Sequence, residues 1–173
     1  MDYIEYLLHP ASRLYIDKLA EIIIGNPEEF EQLYWTMFHP DPKVSWKAAW
    51  ACEKISEKFS SWFTPGKQAE IIQLAIETKH SGLRRGCLSI LMNLPLPEPI
   101  PVDFINACFE WMVSPGSAIA VQALSMKMLY RVCEKEPDFK QEFQLYLETI
   151  NPGDYSKGVM SVKKHMLKKL QPK

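Results

Sequence analysis

Glycine is scarce, with seven in 173 residues, and almost nowhere do apolar and polar residues alternate. A half-buried strand needs that alternation, so sheet folds are excluded. No apolar run approaches the ~20 residues needed to cross a bilayer, and Met1-Asp2-Tyr3-Ile4-Glu5 carries no basic leader. A soluble chain with no membrane partner is expected. Cys52, Cys87, Cys108 and Cys133 form no C-x-x-C and lie among apolar residues at helical spacing. Free buried thiols in a reducing, cytoplasmic compartment follow. Gly66-Lys67 lacks the upstream glycine of a phosphate loop, and no serine sits in a nucleophile-elbow context, so no catalytic residue is assigned. The formal charge of −1 points to neither nucleic acid nor membrane by itself.

What the chain does have is helical punctuation. Apolar residues recur at three and four positions, and a small polar residue precedes proline at Asn26-Pro27, Asp41-Pro42, Thr64-Pro65, Ser114-Pro115 and Asn151-Pro152, with looser variants at Ile100-Pro101 and Glu136-Pro137. Each predicts a helix start: the side chain caps an orphan N–H, and proline occupies the first helical position without losing a hydrogen bond. Ten helices are expected, over 2–8, 12–25, 27–38, 42–59, 65–79, 82–93, 101–113, 116–135, 137–150 and 155–170. Short connections make consecutive helices antiparallel neighbours. Ala48, Gly86, Ala123 and Ser161 mark alternate helices at separations of 38, 37 and 38 residues. A fixed period carried by helix pairs predicts an all-α superhelix, a solenoid of about five antiparallel pairs. The whole of 1–173 is expected to form one repeat domain, with a capping pair at 1–25 and repeats near 26–60, 64–94, 101–136 and 137–170. "LPLPEPIP", residues 94 to 101, is expected to be a stiff connection between repeats.

Within the second helix of the second pair, "DPKVSWKAAWACEKI", residues 41 to 55, joins an Asp-Pro turn to Val44, the Ala48-Ala49 pair, Ala51, Cys52 and Ile55. This stretch resembles the second half of a HEAT repeat, a member of the HEAT/armadillo class, although Ser45 stands where that family often places arginine. The resemblance covers about residues 26 to 170 and implies a right-handed superhelix whose second helices line a concave face. Val44, Ala48, Ala51, Cys52 and Ile55 make one stripe, the core. Trp46 and Trp50 make another, at positions the family leaves variable, and they are read either as packed aromatics or as a binding platform beside Lys47.

Charge is divided between the helices. The second helices hold thirteen bases against three acids, and the first helices ten acids against three bases. A basic inner face with aromatic anchors suits an acidic protein or peptide, with nucleic acid as the alternative partner. The expected partner-binding set is Trp46, Lys47, Trp50, Arg84, Arg85, Lys127 and Arg131. A weaker similarity to HEAT-like DNA alkylation repair glycosylases rests on the same tryptophans and bases, but the catalytic aspartate of that family has no counterpart, the inner helices offering only Glu53, Glu57 and Glu134. His9, His39 and His80 each follow the first helix of a pair, about 10 Å apart, too far to share a metal, and are expected beside helix C-terminal carbonyls. No metal and no cofactor is expected.

Overall fold

A computed structural model of the protein describes residues 1–172. Among them are ten α-helices and no strand: α1 Tyr3–Leu8, α2 Arg13–Gly25, α3 Phe30–Thr36, α4 Pro42–Ser56, α5 Pro65–Glu77, α6 Ser81–Asn93, α7 Val102–Val113, α8 Ile119–Lys135, α9 Phe139–Glu148 and α10 Lys157–Leu170. Every helix expected from the periodicity is present. The helices group into two compact units, Met1–Pro95 with α1 to α6, and a second from Leu96 with α7 to α10. The division falls inside the proline-rich stretch 94–101.

In the first unit α4 is the centre, packed on α6, α2, α3 and α1, while α5 packs on α6. Asp41 and Thr64 cap α4 and α5 through their side chains, each followed by proline at the first helical position. The expected α4 stripe is the core: Val44, Ala48, Ala51, Cys52 and Ile55 have no exposed surface. In the second unit α8 packs on α7, α9 and α10, with Phe104, Met112, Leu129, Phe143 and Leu147 buried. All four cysteines are free and buried, and burial pushes the Cys133 thiol up to about 11 and that of Cys87 to about 12.

Three local expectations fail. Ser114-Pro115 and Asn151-Pro152 form turns, and α8 and α10 begin later, behind Ala118 and Ser156. In both, the polar-proline pair closes the preceding connection: Ser117 N–H bonds the Ser114 carbonyl at 3.0 Å and Asp154 N–H that of Asn151 at 3.1 Å. His9 does close α1, but His39 and His80 act at helix entrances. His39 Nδ1 accepts from Asp41 N–H at 3.0 Å, and His80 Nδ1 caps α6 by accepting from Leu83 N–H at 3.1 Å. An unprotonated ring nitrogen is an acceptor, and such loops hold orphan donors as well as carbonyls.

The crossing of α6 on α4 is made by small residues in close approach. A Cβ on Gly86 of α6 would stand 2.8 Å from the Cβ of Ala49 on α4. An alanine Cβ moves only with its backbone, so the two helices would have to separate. Gly86→Ala gains about 1 kcal/mol in helix propensity but forces overpacking of about 1 to 3 kcal/mol. Urea unfolding is expected to show net destabilisation; a variant more stable by the full propensity gain would refute the close approach.

Candidate functional site

A helix ends with up to four carbonyls lacking an intrahelical partner, and inside a packed stack water does not reach them all. The second helices supply the donors. Tyr15 of α2 gives its hydroxyl to Tyr6 O at 2.7 Å, Arg84 of α6 gives Nε to Ala75 O at 2.9 Å and Nη2 to Thr78 O, Gln122 of α8 gives Nε2 to Ser114 O at 2.8 Å, and Lys163 of α10 gives Nζ to Ile150 O at 2.6 Å. Each bond joins a second helix to the end of the first helix of its own pair. Lys47 reaches one pair further: from α4 its Nζ bonds Leu7 O at 2.6 Å and His9 O at 2.7 Å, at the end of α1. Lys47 is only 8% exposed, and burial lowers its affinity for the proton. Two members of the expected binding set, Lys47 and Arg84, thus have their charged groups engaged with backbone.

Trp46 and Trp50 stand one turn apart on α4 and are half-buried. Their rings stack at 5.7 Å between centroids and 16° between planes, and His80 extends the stack, 6.5 Å from Trp46 at 22°. The α6 cap fixes the imidazole through Nδ1. Gly82 leaves room for it, since a Cβ there would come within 3.0 Å of His80 Cε1 and 3.8 Å of Trp46 Cβ. The sequence reading missed His80 as the third ring; a cap histidine is legible only once α6 is laid beside α4. Arg85 is exposed, and half-buried Glu53 lies in its electrostatic range. Burial holds the Glu53 carboxyl above the usual carboxylate range, with Lys54 and Arg85 opposing the shift and Glu57 adding to it. Lys54 pairs with Glu57 at 2.9 Å. The first unit therefore presents a stacked aromatic surface edged by charges of both signs.

On the second unit Lys127 is exposed and Arg131 half-buried, its guanidinium pushed down by burial and supported by Glu134. Among the described residues no group of three or more His, Cys, Asp or Glu side chains could hold a metal, and no helix is long and apolar enough to cross a membrane.

Compared with known families, the chain is matched over residues 3–170 by the one described as HEAT repeat domain. No curated protein matches it.

Three substitutions test these assignments. Lys47→Met keeps the buried stem and deprives two carbonyls of their donor, for an expected loss of about 1 to 3 kcal/mol in urea unfolding, whereas Lys127→Met stays within about 0.5 kcal/mol. Equal effects would contradict the assignment. For Glu53 the raised folded-state affinity means that the native state binds more protons than the unfolded one, so its contribution falls as pH rises above the ordinary glutamate range of about 4.3. Glu53→Gln is accordingly expected to be more stable than the wild type at neutral pH, with the gap closing as the pH is lowered to about 4. A gap that widens on acidification would reverse the sign.

Proposed function

Because the chain belongs to the HEAT repeat domain family, whose repeats commonly serve as protein-binding scaffolds, we propose that it is a non-catalytic scaffold binding a protein or peptide at Trp46, Trp50 and His80. The observation that carries this reading is the stacked indole pair left half-open on α4. Large rigid aromatics supply contact area at little entropic cost and dominate the energetics of protein interfaces. Exposed Arg85 on α6 and Lys43 on α4 are the cations that can meet an acidic group of the partner, since Lys47 and Arg84 are engaged with helix ends. Lys127 and Arg131 stand on the second unit and are not needed for this docking.

The same engagement weighs against the alternative nucleic-acid reading. Indoles can stack bases, but affinity for a nucleic acid comes mainly from cations on phosphates. Of the five bases on α4 and α6, Lys47 and Arg84 bond backbone and Lys54 has a carboxylate partner, leaving Lys43 and Arg85 as the exposed cations.

The test places a photo-crosslinking residue at position 85 and identifies the protein it captures in cell extract. Trp46→Ala and Trp50→Ala, each folded by circular dichroism, should weaken the purified complex by at least about 30-fold apiece. Anisotropy of labelled duplex and single-stranded DNA across a salt series should show no tight binding. Submicromolar DNA binding that weakens steeply with salt and is lost in the tryptophan variants would overturn the proposal in favour of a nucleic acid.

A further inference from the structure

The last helix presents a second surface, independent of the indole face. α10 reads KGVMSVKKHMLKKL: five lysines, one histidine and no acid. Val159 and Met166 form its buried line. Two contacts orient the rest. Lys169 lies over the Tyr130 ring of α8 at 4.8 Å, and Lys163 bonds Ile150 O, just past α9. Residues 160, 164, 167 and 171 fall on a further flank, turned away from the Lys169 side. There Met160 and Leu167, both partly exposed, form an open face with Lys163, Lys164, Lys168 and Gln171. Lys164 and Lys168 are exposed, and no ion pair among the described residues involves a lysine of α10.

We propose that this flank of α10 is a docking surface for an acidic amphipathic helix of a partner protein. The spacing of four, three and four residues from Met160 to Gln171 is that of a helix-pairing seam, and twelve residues give it roughly 18 Å, or about three turns. Met160 and Leu167 would receive the partner's apolar knobs, Lys164 stands between them, and Lys168 lies beside them at the edge where helix pairs carry their selecting charges. Charge decides among occupants. A second copy of α10 would set five lysines against five. An anionic membrane would need a wide apolar face with exposed aromatics, whereas α10 has no aromatic residue and its deepest apolar line is already buried against its own unit. A nucleic acid would gain nothing from Met160 and Leu167 at the centre of the strip.

The experiment uses the full chain and two fluorescein-labelled synthetic peptides of three heptads, both with leucine at the seam. One carries glutamate and the other lysine at the flanking positions, so that each repels itself and stays monomeric. The glutamate peptide should bind with Kd on the order of 10 µM at moderate salt and the lysine peptide at least tenfold more weakly. The double variant Lys164→Glu, Lys168→Glu should reverse the preference, while Trp46→Ala should leave it unchanged, separating this surface from the indole face. Both substituted lysines are exposed, so circular dichroism should remain native. Equal binding of the two peptides, or a preference untouched by the reversal, would overturn the proposal. So would tighter lysine-dependent binding to phosphatidylserine vesicles or duplex DNA, or dimerisation through this face in light scattering.

Discussion

The ends of the first helices govern this molecule. A helix that stops against its neighbours leaves carbonyls that water cannot fully serve, and an unpaired buried carbonyl costs about 1 to 3 kcal/mol, a large share of a typical domain's net stability. Each such end here is reached by a side chain from a second helix: Tyr15, Lys47, Arg84, Gln122 and Lys163. The exception is α3, which closes its own end with bonds from Met37, Phe38 and His39 to carbonyls three residues back. Lys47 is thereby released from its own pair and ties α4 to α1. These bonds, with the bare contact of Gly86 on Ala49, fix how the second helices lie within each unit.

That constraint changes what the charge pattern means. Counted along the sequence, the second helices look like one basic surface. In the folded chain their bases divide by task. Lys47, Arg84 and Lys163 hold backbone, Lys54 and Lys135 pair with Glu57 and Glu98, and Lys169 covers a tyrosine ring. What is left around Trp46 and Trp50 is aromatic area edged by charges of both signs. Uncompensated positive charge concentrates instead on α10.

The architecture was legible because it rests on repetition. Apolar spacing located all ten helices, and the Asp41-Pro42 and Thr64-Pro65 signals marked true starts. The Val44 to Ile55 stripe was the core because alanine and β-branched residues at helical spacing have no other use. Ser114-Pro115 and Asn151-Pro152 misled, since the same pair of residue types also makes a turn, and only the carbonyl geometry beyond it distinguishes the two. The candidate site was half legible. Two tryptophans one turn apart declared a face, but His80 belongs to it only through packing of α6 on α4. Lys47 and Lys127 look alike in sequence, and nothing local tells a lysine that reaches a carbonyl forty residues away from one that reaches water.

The most direct measurement is the exchange of lysine side-chain protons, observed by nitrogen-15 NMR of the ammonium groups at neutral pH and low temperature. Lys47 and Lys163, held by backbone carbonyls, should give sharp and slowly exchanging NH3+ signals, while those of exposed Lys127 and Lys164 broaden away. A Lys47 signal that exchanges as fast as that of Lys127 would mean that its charge faces solvent, returning it to the binding surface and removing the capping role from which this account proceeds.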